Sequence, residues 1–581
     1  MNKKLNSNQR CNVLMALVFL LVISLISCNG LIVSHYYEHG VLATASPIAT
    51  GVGTEVFREG GNAFDVAVAV GFALAVTHPE AGNIGGGGFA IIRLGESNQV
   101  LALDFRETAP GEASEEMYLD DSGAVLQKSY LDDSGEVKRN LSTTGALACG
   151  VPGTVAGLHE LWEQHGSLPW KYLVGFATSL ADSGFVVDEY LAESLTEYRQ
   201  SLSLFEETAS LFYPSGLNVK SGQKLVQKDL AGTLSLIAMQ GRDGFYRGQV
   251  ADTIVACMQR HGGLITAKDL ESYQPIWRTP IHFKFDSLEV YSMPPPSSGG
   301  IVLGQILKLL EPYDLAPYTP QSTEFVHLFC EMSRLAFADR SEHLGDPDYY
   351  HVPVGLLDSA YLKRRRSTVK TNHAGSSEST GPGSPRTESE QTTHYSICDA
   401  QGNMVAITYT LNSSYGSKLV VGGAGFLLNN EMDDFSVKPG VPNLYGLVGG
   451  EANKIEPGKR MLSSMTPTLI LQNDRPFAVL GSPGGSKIIT TVAQAIVNFT
   501  RFDLSLKETV SAPRFHHQWL PDKVYLEEGS FDINLLQGLI RYGHNIKERS
   551  HYGDLQAVYI TPDGLMTAAS DPRKRGSSGG F

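Results

Sequence analysis

From Val13 to Ile26 every residue is apolar except Ser24, and the run follows Lys3, Lys4 and Arg10. It is short for a bilayer-spanning helix and suits the apolar core of an export signal, so residues 1–27 are set apart from the fold. Further on, the pattern predicts a mixed chain. Gly60-Gly61-Asn62-Ala63 leads into Asp65-Val66-Ala67-Val68-Ala69-Val70, which reads as a helix start whose small residues allow close packing. Phe89-Ala90-Ile91-Ile92-Arg93 reads as a buried strand behind the glycine run Gly85–Gly88. Residues 150–275 alternate apolar and charged positions at helical spacing, as in Leu158-His159-Glu160-Leu161-Trp162. Pro294 to Gly300 predicts a turn before a helix, and Glu324–Arg340 predicts another helix. Between Arg365 and Glu390 almost nothing is apolar, which predicts a soft linker. After it the pattern is β-rich. Val405–Thr410 and Thr468–Leu471 predict buried strands, and Asp399–Asn403 predicts a hairpin turn.

A hydrophobic content of 42% permits a large core, and 581 residues suffice for about four domains. The formal net charge of −15 argues against nucleic acid, which wants a basic surface. Cys11 and Cys28 lie in the targeting region. Cys149, Cys257, Cys330 and Cys398 are scattered, without CxxC or paired His spacing, and read as buried small residues, with no metal expected. Leu25-Ile26-Ser27-Cys28 fits a lipobox, so cleavage before Cys28 and lipidation of its thiol are favoured over a plain export signal. Gly51-Val52-Gly53 has Val56 where a dinucleotide loop needs its third glycine. No Lys-Ser/Thr follows Gly85–Gly88, so these glycines read as backbone squeezed against a neighbouring segment and not as a phosphate cradle.

The linker ends at Gln391, directly before Thr392 and a strand pattern. On composition alone this is an ordinary interdomain linker. A cut before Thr392 would instead create a new N-terminus holding a hydroxyl nucleophile and an α-amine. Such an amine titrates near pH ~7.7–8.0 and can act as a base at neutral pH.

The motifs decide between these readings. Thr392-Thr393-His394-Tyr395-Ser396, Thr408-Tyr409-Thr410-Leu411-Asn412 and Leu427-Leu428-Asn429-Asn430-Glu431-Met432-Asp433-Asp434-Phe435 occur in order. Leu462-Ser463-Ser464-Met465, Gly481-Ser482-Pro483-Gly484-Gly485-Ser486 and Ala512-Pro513-Arg514-Phe515-His516-His517-Gln518 follow. Upstream stand Gly60-Gly61-Asn62-Ala63, Gly85-Gly86-Gly87-Gly88-Phe89 and Asp104-Phe105-Arg106-Glu107. In this set and order the chain resembles the γ-glutamyltransferase (glutathione hydrolase) family, of the Gram-negative type. The resemblance implies an α+β N-terminal-nucleophile hydrolase fold: a four-layer αββα sandwich with two stacked, mainly antiparallel sheets. It implies self-cleavage between Gln391 and Thr392, giving a heterodimer of a large subunit, 28–391, with a flexible 365–391 end, and a small catalytic subunit, 392–581.

The resemblance also implies the roles. Thr392 is the nucleophile for both self-cleavage and catalysis, with its own α-amine as base. Thr410 hydrogen-bonds the nucleophile, and Gly484 and Gly485 form the oxyanion hole. Arg106 grips the α-carboxylate of a γ-glutamyl group, helped by Asn412, Ser463 and Ser464. Asp434 and Glu431 accept from its ammonium. Tyr445, within Pro439–Gly450, belongs to a lid over the pocket. The expected reaction takes glutathione or another γ-glutamyl compound to a Thr392 acyl-enzyme, then passes the group to water or to an amino acid or peptide. No cofactor is implied. The expected location is the periplasm, with a membrane anchor if Cys28 is lipidated. A cephalosporin acylase or a poly-γ-glutamate enzyme of the same fold is the second reading, and an idle self-cleaved binding lipoprotein the third. The basic, Gly/Ser-rich end Lys574–Phe581 departs from the family, which usually closes on Tyr.

Overall fold

Alternation within one strand already demands layers. Along Met404–Thr410 the side chains of Met404 and Ala406 point one way and those of Val405 and Ile407 the other, and all are buried. A strand covered on both faces needs a layer on each side. The computed structural model describes residues 35–132, 135–381, 393–436 and 451–581. It places Met1–Tyr36 in one unit and Tyr37–Phe581 in another. The expected export signal, Cys28, Gln391, Thr392 and Tyr445 lie outside the described residues.

Seven strands form the first sheet, in the order Ser577–Gly580, Gly40–Thr44, Thr393–Asp399, Met404–Thr410, Gly87–Arg93, Val100–Phe105, Ile276–Arg278. Six form the second: Met566–Ser570, Gln556–Ile560, Arg475–Gly481, Thr468–Gln472, Leu288–Ser292, Ile281–Phe285. Every neighbouring pair in both is antiparallel. Between the sheets Val41, Phe89, Met404 and Ala406 pack with Leu469, Val479 and Val558. On the outer face of the first sheet, Leu42, Val405 and Ile407 share a core with the Ala63–Thr77 and Trp170–Ser183 helices. On the outer face of the second, Val290, Ile470 and Leu480 share one with the Gly299–Leu310, Thr323–His343 and Ser486–Arg501 helices. The result is the expected four-layer αββα sandwich.

Both parts of the chain contribute to both sheets. The hairpin Thr393–Asp399/Met404–Thr410 is flanked by strands from upstream of residue 392, in the registers Gly40↔Asp399 and Gly87↔Thr410. The hairpin turn falls where the pattern put it, and the Asp399 carboxylate accepts from Gln401 N–H at 3.0 Å and Asn403 N–H at 2.9 Å. The same carboxylate accepts from Ala63 N–H at 2.9 Å, tying the turn to the start of the Ala63–Thr77 helix. That helix is capped as expected, with Asn62 and Asp65 side chains bonding each other's backbone N–H. Among the described residues no helix is long and apolar enough to cross a membrane.

The glycine run is the squeezed backbone that the sequence suggested. A Cβ on Gly86 would lie 2.0 Å from the carbonyl oxygen of Thr410. The four described cysteines, Cys149, Cys257, Cys330 and Cys398, are free and buried.

One expectation needs correction. The soft linker does not begin at Arg365: Ser359–Arg366 is a helix, and residues 367–381 are pinned to the far part of the chain. Ala374 N–H donates to Tyr542 O at 2.7 Å, Ser377 N–H to Asp522 Oδ2 at 2.7 Å, and the Trp519 indole to Thr380 O at 2.8 Å. The segment is held through its backbone by distant partners, and an apolar-poor composition gives no sign of that.

A paired substitution tests the close approach. Gly86→Ala should lower the denaturant midpoint by the equivalent of about 1–3 kcal/mol, because the obstacle is main chain. Gly51→Ala, on an exposed helix position with nothing within 4 Å of its Cβ, should raise stability by about 0.5–1 kcal/mol. Equal effects would refute the steric account.

Candidate active site

Arg106 leaves the end of the Val100–Phe105 strand and is fully buried. Its backbone is fixed on both sides: its N–H donates to Asp104 Oδ1 at 3.0 Å, and the Tyr273 hydroxyl donates to its carbonyl at 2.8 Å. Arg278 pairs with the other Asp104 oxygen at 2.7 Å. The Arg106 guanidinium is thereby aimed at three carboxylates. Nη1 lies 2.7 Å from Glu431 Oε2 and 3.6 Å from Glu107 Oε2. Nη2 donates to Asp434 Oδ2 at 2.5 Å, and Nε donates to Met461 O at 3.3 Å.

One cation therefore faces three buried acids. Beyond these contacts one oxygen of each acid, Glu107 Oε1, Glu431 Oε1 and Asp434 Oδ1, has no partner among the described residues. Burial raises the Glu107 carboxyl to about 7, against the pull of Arg106. Burial also lifts Glu431 well above the carboxylate range, opposed by Arg106 and reinforced by Glu107 and Asp434. Unpaired buried carboxylates are costly, so the cluster is an unmet demand for a second cation.

Two of the acids come from the short turn Glu431–Asp434, held from both ends. Glu431 N–H donates to Asn429 Oδ1 at 3.0 Å, and Asn453 Nδ2 donates to Asp434 O at 2.6 Å. Asn453 Oδ1 also accepts from Leu462 N–H at 2.9 Å, which brings Ser463 and Ser464 to the same place. Ser463 N–H donates to Pro296 O at 2.8 Å, and Ser464 Oγ accepts from Arg340 Nη2 at 2.9 Å.

Thr410 ends its strand, and its Oγ1 accepts from Asn412 N–H at 2.7 Å. Asn412 holds a left-handed backbone, φ 74°, and its Nδ2 donates to Asn430 O at 3.0 Å. That contact links the Thr410 end of the hairpin to the acidic turn. The register Thr393↔Tyr409 puts Thr410 one ladder step beyond the first described residue of the neighbouring strand.

Gly484 and Gly485 have φ of 129° and 58°, and Gly485 caps the Ser486–Arg501 helix. Their amides stand at the positive end of that helix, in conformations that a Cβ disfavours. The described contacts tie this turn to the Thr393–Asp399 strand: a Cβ on Gly481 would lie 2.2 Å from His394 Cε1. They do not join it directly to the Arg106 cluster.

His394 is the imidazole closest in sequence to Thr392, but both its nitrogens are engaged, with Thr408 Oγ1 at 2.8 Å and Ser396 Oγ at 3.0 Å. Burial lowers it to about 3, so it stays neutral. His516 is likewise buried, between Thr490 Oγ1 at 2.9 Å and Gln518 Oε1 at 2.9 Å. Both histidines are structural.

Three residues were missed in the sequence. Glu107 stood inside the Asp104–Glu107 motif, where its adjacency to Arg106 was the available signal. Asn453 and Arg340 carried none, since each is defined by partners far along the chain. The lack of paired His spacing in the sequence gave no sign of a cluster that forms on folding. The fold brings His327, Glu331 and His544 together with ligand atoms within 4.8 Å of one another.

Comparison with known proteins gives a consistent result. The family model described as gamma-glutamyltranspeptidase matches residues 49–581. The glutathione hydrolase proenzyme of Escherichia coli (strain K12) is 46% identical over 539 residues, covering 92% of this chain and 90% of that protein. Among solved structures, the cephalosporin acylase of Bacillus halodurans superimposes with a TM-score of 0.83 at 26% identity, over 94% of this chain and 97% of that one. The gamma-glutamyltranspeptidase of Helicobacter pylori gives a TM-score of 0.55 at 41% identity, over 58% of this chain and 95% of that one. With a family model spanning nearly all of the sandwich and a relative of this identity along almost its whole length, the chain belongs to the gamma-glutamyltranspeptidase family.

Proposed function

We propose that this protein is a self-cleaving γ-glutamyltransferase and glutathione hydrolase. The observation that carries the reading is the Arg106 cluster, one guanidinium beside three carboxylates, each with one oxygen that has no partner among the described residues. Such a site is built for a zwitterionic α-amino acid head. The substrate ammonium supplies the missing cation to Glu431, Asp434 and Glu107. Its carboxylate takes one side of the Arg106 fork, with Asn412, Ser463 and Ser464 as neutral neighbours.

In this reading Thr392 Oγ attacks the γ-amide carbonyl and its own α-amine takes the proton. The engagement of both His394 nitrogens supports that choice of base. The Gly484 and Gly485 amides face the oxyanion, and Thr410 steadies the nucleophile. The amine leaves, and water or an amino acid or peptide then takes the γ-glutamyl group from Thr392. Earlier, the same hydroxyl attacks the Gln391 carbonyl to cut the chain. The shared sheets are why the two parts stay together as a heterodimer after the cut. Tyr445 belongs to the lid. Export to the periplasm, with Cys28 lipidated, completes the reading on the sequence alone.

The acylase reading draws on the structural likeness to the Bacillus halodurans enzyme. The cluster favours γ-glutamyl substrates, because an acyl chain without an α-ammonium would leave the three acids unanswered.

Three outcomes test this. Thr392→Ala should yield one uncut chain that releases no glutamate from glutathione; a variant still cut into two pieces, as judged by denaturing electrophoresis, removes Thr392 as nucleophile. Arg106→Lys should raise KM for glutathione by roughly tenfold or more, since a point charge cannot make the bidentate contact. The third is a pH effect. Glu107 has a raised folded pKa, so its protonated form favours the ligand-free fold. Its contribution is full below its usual value and is lost as pH rises through about 7. Denaturant midpoints of the wild type relative to Glu107→Gln should therefore fall between about pH 4.5 and 7. A flat difference would show that Glu107 is not buried as described.

A further inference from the structure

A second buried cluster lies on the Thr323–His343 helix, which also carries Arg340. His327 and Glu331 stand four residues apart on that helix, and His544 follows the Ile533–Tyr542 helix near the other end of the chain. All three side chains are more than nine-tenths buried. His327 Nε2 lies 2.8 Å from the carbonyl oxygen of Lys370. A carbonyl only accepts, so Nε2 carries the hydrogen and the neutral ring keeps its lone pair on Nδ1. That lone pair faces His544 Nε2 at 2.8 Å. Two imidazole nitrogens turned to each other need a proton or a metal ion between them. With a proton there, His544 Nδ1 still lacks a partner among the described residues.

The surroundings suit a cation. Glu331 and Asp522 set two negative charges against the one of Arg334, which pairs with both. The Lys370 carbonyl behind His327 is the outer support that a metal-bound imidazole commonly has. A cavity of about 430 Å³ lined by Glu331, Lys370, His373 and Gly375 lies beside the cluster and gives a water ligand access.

We propose that His327 Nδ1, His544 Nε2 and a Glu331 carboxylate oxygen form a binding site for a divalent transition metal, of the zinc type. Three protein ligands of this kind with a water make a four-coordinate site. Binding opens the two nitrogens from 2.8 Å to about 3.3 Å, the tetrahedral separation for bonds of about 2.0 Å. His544 moves its hydrogen from Nε2 to Nδ1, with no net proton lost. A rotation of the Glu331 carboxylate brings the set inside the 4.8 Å that its ligand atoms now span. The 13 residues from His327 to Arg340 put the ion about 20 Å along the helix from Arg340, away from the Arg106 cluster. Its place is structural. Two ligands precede residue 392 and the third follows it, and Gly375 N–H donates to Glu331 Oε2 at 3.1 Å. The ion would clasp the segment 370–375 and the helix to the C-terminal part.

The test uses the purified full protein, stripped with chelator and titrated with zinc chloride by calorimetry, with cobalt(II) absorption on the same sample. One high-affinity zinc per chain is expected, with a rise in melting temperature and visible bands of a four-coordinate nitrogen/oxygen site. His327→Gln and His544→Gln keep hydrogen-bonding amides in place and should weaken zinc binding by roughly 100-fold. The uncut Thr392→Ala chain should bind zinc as the wild type does, which separates this site from the N-terminal amine and from the self-cleavage reading. No uptake, octahedral cobalt bands, or equal uptake by both glutamine variants would each overturn the proposal. Should either variant fail to fold, the cobalt spectrum of the wild type still decides.

Discussion

A guanidinium sealed in with three carboxylates is the constraint around which this molecule is organised. Taking four ionisable groups out of water costs several kcal/mol per ion before any pairing. Arg106 offsets part of that through Glu431 and Asp434, and one oxygen of each acid stays unanswered among the described residues. No packing rule asks for such a cluster, and apolar residues would fill the space more stably. The protein holds it in place with backbone locks on three of its members: Tyr273 and Asp104 on Arg106, Asn429 on Glu431, Asn453 on Asp434. Those locks hold three acids around a single cation.

The sandwich serves this arrangement by crossing the chain over itself. Strands from before and after residue 392 share both sheets, so the site draws Arg106 from one part and Glu431, Asp434 and Ser463 from the other. Gly86 sets how closely the two can approach, with its backbone against the Thr410 carbonyl. The Thr323–His343 helix adds a second tie, since Arg340 reaches Ser464 while His327 meets His544. A cut in the middle of such a structure leaves its cores intact.

Much of this was legible in the order of residues. Strands such as Met404–Thr410 and Thr468–Gln472 are continuous apolar runs because both faces are covered, and the pattern placed them within a residue. The helix Thr323–His343 exceeds its expected span by a residue at the start and three at the end, where charged residues hide the period. Arg106, Asp434 and Glu431 were legible through family motifs, and the structure puts them in contact. The segment 367–381 was not legible, because hydrogen bonds from Trp519, Asp522 and Tyr542 hold it, and a polar stretch looks the same free or held.

By itself the sequence determined the buried strands and the hairpin with its Asp399 turn, which follow from local periodicity and turn geometry. Its family motifs implied the layers. Tertiary structure alone decided that Glu107 joins the cluster, that Asn453 and Arg340 position it, and that His327 faces His544 across 217 positions. Burial and long-range pairing create those properties: a carboxylate or an imidazole acquires its charge state and its partner only when the chain has closed around it.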